Sequence, residues 1–267
     1  MRIVSWNCHY GFTLKKLTAI SEYSPHILVI QECRKNDFDV LKSNWNYKNW
    51  YNDDLNQEES ELGVAIFSNE FRIEFTETFN RKYRYVIPYK ISIDKDIEFN
   101  LFTVWIKPVG KNYLKPLYEA IKYYQDQKML DNHSVIIGDF NTFAKKENGY
   151  LETLEKKLSP LVNCTKKKKQ FWQMPTYFHA KNNMGIDDFC FASKDIVDKI
   201  EVTIPNKEWD DKQDKDHRWN GLSDHCPIIV DFRFLPFELA PDHEIIEVTL
   251  PDGLSAEEVV EYMGKHI

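Results

Sequence analysis

Three apolar runs in this 267-residue chain end in polar residues that packing does not explain. Ile3-Val4-Ser5-Trp6 runs into Asn7, Ile27-Leu28-Val29-Ile30-Gln31 into Glu32, and Val135-Ile136-Ile137-Gly138 into Asp139, Phe140 and Asn141. Ile186-Asp187-Asp188 sets two carboxylates at the start of an apolar strand, and Leu222-Ser223-Asp224-His225-Cys226-Pro227 sets an Asp-His pair just before another. Carboxylates, amides and an imidazole are the groups that hold hard cations and move protons. The ends of buried strands in α/β sheets are where ligands bind, because the scaffold there is rigid and the edge is open to solvent. Each residue alone reads as a turn former or a helix cap. The ordered series does not.

Bringing such ends together requires a scaffold of strands. Runs rich in Val, Ile, Phe and Tyr at residues 3–6, 27–30, 63–67, 85–93, 99–106, 135–137, 186–192 and 227–234 read as strands. Helical periodicity is clearest over residues 14–23, with Leu14, Leu17 and Ile20 on one face, and over 113–126, with Leu114, Leu117, Ile121 and Tyr124. Strands in this number with helices between them predict a layered α/β domain of mixed strand direction. Residues 206–220 are polar and charged, with Trp209 and Trp219 as their large apolar side chains, and read as a long loop.

A hydrophobic content of 42% is enough for a sizeable core and excludes disorder for most of the chain. The net charge of −7 is concentrated at one end. Residues 236–267 carry eight acids and one base (1 − 8 = −7), which leaves residues 1–235 neutral at 34 against 34. A neutral body with a local cluster such as Lys166 to Lys169, followed by Phe171 and Trp172, keeps a polyanionic substrate open. The acidic tail has its own apolar residues and the capping box Ser255-x-x-Glu258, so it is expected to dock on the body. No run of about eighteen apolar residues predicts a membrane span, and the start turns polar too soon for a signal peptide. Five widely spaced cysteines without a C-x-x-C pair fit neither a disulfide framework nor a zinc site, and point to a reducing cytoplasm.

In their order, Ser5-Trp6-Asn7, Gln31-Glu32, Gly138-Asp139-Phe140-Asn141, Ile186-Asp187-Asp188 and Ser223-Asp224-His225 resemble the motifs of the endonuclease/exonuclease/phosphatase superfamily, DNase I-like and exonuclease III-like. The resemblance implies a four-layer α/β sandwich, two mixed β-sheets packed face to face with helices outside. It spans the body, residues 1–235, and leaves 236–267 as an appendage. It also implies Mg²⁺-dependent or Mn²⁺-dependent phosphoester hydrolysis. Carried over residue by residue, Glu32 is the principal metal ligand, with Asn7 and Asp224 beside the metal. Asp139 orients or deprotonates the attacking water, and Asn141 holds that water or a phosphate oxygen. His225 contacts the scissile phosphate, and Asp187 orients His225.

Two positions depart from the family pattern. His9 stands where many nucleases of the family have an acid, and Trp105 stands where a His or Tyr often touches phosphate. An indole has one N–H donor and no usable acid–base function, so if Trp105 lines the cleft the leaving oxygen is left to the metal, a bound water or Lys107, which shares the strand face with Trp105. Packing under a helix is the competing reading of Trp105. His179, His217 and Arg218 flank the later motifs and are candidates for lining a cleft. The expected activity is a phosphodiesterase acting on nucleic acid, with no obligate protein partner. The alternatives are the same chemistry on a small molecule or lipid headgroup such as an inositol phosphate, and a silent binding module of the same fold.

Overall fold

A computed structural model describes residues 1–52, 61–95, 97–107, 114–146, 148–167, 171–178, 184–205, 219 and 221–233. In chain order they form β1 (Arg2–Asn7), α1 (Leu14–Ser21), β2 (Ile27–Arg34), α2 (Lys35–Leu41), β3 (Tyr47–Tyr51), β4 (Leu62–Ser68), β5 (Arg72–Phe75), β6 (Val86–Ser92), β7 (Glu98–Trp105), α3 (Leu114–Asp126), β8 (Ser134–Ala144), α4 (Tyr150–Leu158), β9 (Val162–Asn163), β10 (Tyr177–Phe178), β11 (Met184–Ala192), β12 (Ile200–Thr203) and β13 (Ile228–Phe232). All eight strands expected from composition are present. The most uniformly apolar of them, β1, β2, β7 and β8, are buried on both faces and take interior places in the sheets.

One sheet has the order β12-β13-β1-β2-β4-β3, and the other β10-β11-β8-β7-β6-β5 with β9 on β11. Each is mixed, with a single parallel pair, β1 with β2 and β7 with β8. The sheets meet face to face through β1 and β2 on one side and β7 and β8 on the other. Outside the second sheet, Phe102, Val104 and Ile106 pack with Leu117, Ile121 and Tyr124 of α3 and Leu151 and Leu154 of α4. Leu17 and Ile20 of α1, and Phe38 and Leu41 of α2, belong to the core of the first sheet. This is the four-layer sandwich expected. The acidic tail, residues 206–218, Lys168, Lys169 and His179 lie outside the described residues. Among the described residues no helix is long and apolar enough to cross a membrane.

Irregularities in these ladders fall where the sequence puts its polar residues. Between Ile30 and Cys33, β2 takes three steps while β4 takes two, from Ala65 to Gly63. Glu32 sits in that bulge with a left-handed φ of 57°. Between β8 and β11 the mismatch is larger, five steps from Asp139 to Ala144 against two from Asp188 to Ile186. The extra residues carry Asn141 and Phe143, at φ of 48° and 46°. Gly138, at φ of 140°, lets β8 approach β7 so closely that a Cβ there would run into the Val104 carbonyl. Bulges of this kind re-aim side chains and gather next to active sites.

Candidate active site

Asn7 ends β1, beside Gln31 of its parallel neighbour β2. Its side chain crosses from one sheet to the other. Nδ2 donates to Glu32 Oε1 at 3.1 Å within its own sheet and to Asp139 Oδ2 at 2.9 Å on β8. Its Oδ1 accepts the main-chain N–H of His9 at 3.0 Å. Asp139 is fully buried and receives two more donors, the Asn141 main-chain N–H at 2.8 Å and Asn141 Nδ2 at 3.0 Å. Asn141 Nδ2 also reaches the Ile106 carbonyl at 2.7 Å, which ties the bulge to the end of β7.

His225 comes from the loop before β13 and is held through its main-chain N–H, its carbonyl and its ring Nδ1. Its carbonyl accepts the Trp6 indole N–H at 2.9 Å, and its main-chain N–H donates to Ser223 Oγ at 3.0 Å. Ser223 Oγ in turn donates to the Asn7 carbonyl at 2.7 Å, so the Ser-Asp-His motif is sewn to the end of β1. Trp219, buried against Trp6 with ring centroids 5.1 Å apart, anchors the same loop. The Tyr177 ring lies over the imidazole at 4.6 Å.

The carboxylate behind His225 is Asp188, not Asp187 as the sequence reading had it. His225 Nδ1 is 2.9 Å from Asp188 Oδ2, in an ion pair that is almost wholly buried. Strand alternation gives the reason. Asp188 shares a face with Cys190 and Ala192, in the core between the sheets, whereas Phe189 and Phe191 point to the helices. Asp187, at the bulge, turns away and accepts the main-chain N–H of Phe143, which holds that residue in its left-handed conformation. Thr176 supports both acids, its Oγ1 accepting the main-chain N–H groups of Asp187 and Asp188 at 3.0 Å each. The signal for Asp188 was in the sequence, since Val135, Ile137 and Asp139 on β8 obey the same alternation toward the other sheet. Thr176 and Tyr177 carried no comparable signal.

Burial pushes the Asp139 carboxyl well above the usual carboxylate range, against the opposing pull of the His225 charge and the Asn7 hydrogen bond. Burial would lower His225, but the charges of Asp188 and Asp139 and the hydrogen bond it donates to Asp188 outweigh it and raise the imidazole well above its ordinary value. Asp187 is pushed up to about 7, chiefly by burial. A carboxylate of raised basicity beside an imidazolium is a base and a cation set side by side.

On the rim, His9 Nδ1 lies 3.0 Å from Asp224 Oδ1. Burial works to raise Asp224, yet the His9 hydrogen bond and the His225 and His9 charges bring it below the ordinary value. Trp105 is only 6% exposed and belongs to the core between the sheets, with Lys107 Nζ 4.1 Å from its ring centroid. Trp105 therefore packs between the sheets, not under a helix, and Lys107 stands over its ring.

The carboxylates of Glu32 and Asp224 are donors of the kind a hard divalent cation takes. Asn7 turns its amide nitrogen to Glu32 and Asp139 and its oxygen to the His9 main-chain N–H, so it would reach a cation through oxygen only with its amide turned over. Atoms of Asp139, Asp188 and His225 also lie within 4.8 Å of one another. That inner group already contains a positive charge, the raised imidazole, and Asp188 Oδ1 is buried there without a hydrogen-bond partner.

The sequence profile of the Endonuclease/Exonuclease/phosphatase family matches residues 4–225. The chain belongs to this family. Among solved structures it is similar to the endonuclease domain of TRAS1, a telomere-specific non-LTR retrotransposon, at 16% identity and a TM-score of 0.61, covering 88% of this chain and 99% of that one. An endonuclease/exonuclease/phosphatase family protein from Leptotrichia buccalis gives 16% identity and a TM-score of 0.61, over 88% and 100% of the two chains. The D. rerio TDP2 structure complexed with a single-strand DNA product gives 14% identity and 0.54, over 87% and 98%. At these identities the likeness is one of fold. No curated protein matches the sequence. Membership in the endonuclease/exonuclease/phosphatase family marks the protein as a hydrolase of phosphoester bonds.

Proposed function

We propose that the protein is a divalent-metal-dependent phosphodiesterase acting on nucleic acid, with residues 1–235 as the catalytic domain and 236–267 as an appendage to it. The observation that carries this reading is the Asn7 bridge, which ties Glu32 on one sheet to Asp139 on the other, within a cluster that also holds the Asp188–His225 pair. Glu32, with Asn7 and Asp224, would hold Mg²⁺ or Mn²⁺. When bound, the metal supplies Lewis-acid stabilisation of charge on a phosphoryl oxygen.

The chain's own residues supply the rest. Asp139, desolvated and of raised basicity, accepts a proton from the attacking water, and Asn141 orients that water or a phosphate oxygen. His225 is kept cationic by Asp188 and offers the nitrogen opposite Nδ1 to the scissile phosphate. Lys107 adds positive charge at the rim.

Hydrolysis assays with Mg²⁺ or Mn²⁺ on single- and double-stranded DNA, abasic DNA, RNA and inositol phosphates test the reading. Turnover of an oligonucleotide is the expected result. Turnover of inositol phosphate alone would move the substrate to the small-molecule class, and binding without turnover of any substrate would mark a silent module.

A further inference from the structure

The segment after β1 has a left-handed backbone at three successive residues, with φ of 50° at His9, 55° at Tyr10 and 108° at Gly11. Glycine visits that region freely, but His and Tyr enter it only at a cost that the surroundings must over-determine. Here they do. The Lys16 ammonium, on α1, donates to the carbonyls of Cys8, His9 at 2.8 Å and Gly11 at 2.8 Å. The Tyr10 main-chain N–H donates to Glu32 Oε2 at 3.0 Å, Gly11 N–H to the Glu32 carbonyl at 2.9 Å, and Phe12 N–H to Asp37 Oδ2 at 2.9 Å.

What this locked segment presents is an aromatic ring. Tyr10 is 60% exposed, so burial of its side chain does not repay the strained backbone beneath it. Its ring stands edge-on to the His9 imidazole, centroids 4.9 Å apart at 82°, and that imidazole pairs with Asp224. The ring is therefore fixed one side chain away from Asp224 and is bonded through its own backbone to Glu32.

We propose that Tyr10 is a specificity-determining residue whose exposed face stacks on a base of single-stranded nucleic acid, next to the phosphate held among Glu32, Asp139 and His225. The proposal rests on the nucleic-acid reading above and sharpens it toward unpaired strands. Every base has a π-face that a rigid, exposed aromatic ring can take without regard to sequence, whereas an inositol or sugar headgroup has none. A duplex keeps its base faces stacked inside, so a ring in this position needs a base that is free.

The test uses single-stranded oligonucleotides carrying 2-aminopurine at successive positions, bound to the full chain with Ca²⁺ in place of Mg²⁺. The expected result is fluorescence quenching at one position with the wild type, lost in Tyr10→Ala and kept in Tyr10→Phe. Affinity should fall about tenfold in Tyr10→Ala. An oligonucleotide of abasic units should bind wild type and Tyr10→Ala equally. Equal affinity and quenching by wild type and Tyr10→Ala would overturn the proposal while leaving the nucleic-acid reading intact. A wild type that neither binds nor cleaves any oligonucleotide would overturn both.

Discussion

Replacing Asp188 by Asn keeps the shape of the residue behind His225 and removes its charge. At the observed separation of 2.9 Å the two charges attract by about 6 kcal/mol at an effective dielectric of about 20. Desolvation of both groups offsets part of that, and removing one partner of a buried pair costs about 3–5 kcal/mol. Because Asn retains an acceptor oxygen, a loss of about 3 kcal/mol is expected. The sign with pH follows from the raised imidazole. A His whose folded pKa is raised contributes stability fully present below its ordinary 6.5 and lost as pH rises through the folded value. The difference in urea stability between wild type and Asp188→Asn is therefore largest below pH 6.5 and shrinks on the alkaline side. In the variant the largest counter-charge is gone and burial is opposed by Asp139 and Asp224 alone, so the His225 imidazole proton resonances should titrate at lower pH than in the wild type. Turnover of the best substrate should fall by about 10²- to 10⁴-fold. Asp187→Asn is the control, and it should leave the His225 titration nearly in place. If Asp187→Asn moves the His225 titration and Asp188→Asn does not, the pairing described here is wrong.

Asp187, pushed up to about 7, holds a proton in the folded chain that the unfolded chain gives up near 3.8, so it lowers stability as pH rises between those values. Asp187→Asn should flatten that limb of the stability–pH curve, and an unchanged slope would show that Asp187 ionises normally. Lys107→Ala should slow a natural alkoxide-leaving substrate much more than a nitrophenyl phosphodiester, whose leaving group needs little help. Equal slowing of both would remove Lys107 from leaving-group stabilisation. A chain ending at residue 235 should keep metal-dependent activity, measured on the same substrates, and a complete loss would make the acidic tail part of the site.

The central strands were legible because their apolar runs are unbroken, as in residues 27–30 and 135–137. Apart from the nine-residue helix Tyr150–Leu158, the elements missed are short or lie at edges. Arg72–Phe75 and Tyr47–Tyr51 are largely exposed or half-buried edge strands, and Lys35–Leu41 is a seven-residue helix that begins directly where β2 ends. Of the site, the polar residues at strand ends were visible one by one. What joins them was not, because bulges depend on the register between two strands. Gln31-Glu32 gives no hint that Glu32 adopts a left-handed conformation, and although strand alternation singles out Asp188, nothing in the sequence shows that the extra residues of β8 turn Asp187 to the Phe143 main chain. Lys16 reads as an ordinary surface base of an amphipathic helix until its three carbonyl partners are seen.

The most direct measurement is oligonucleotide hydrolysis by the wild type, Glu32→Gln and Asp139→Asn, each with Mg²⁺ and with EDTA, alongside calorimetric titration of Mg²⁺ into each protein. The wild type should hydrolyse only with metal present. Glu32→Gln should stay folded, lose Mg²⁺ affinity and lose nearly all turnover, while Asp139→Asn should lose turnover and keep most of the Mg²⁺ affinity. Hydrolysis that survives in EDTA, or a Glu32→Gln protein that binds Mg²⁺ and turns over like the wild type, would contradict a metal site built on Glu32.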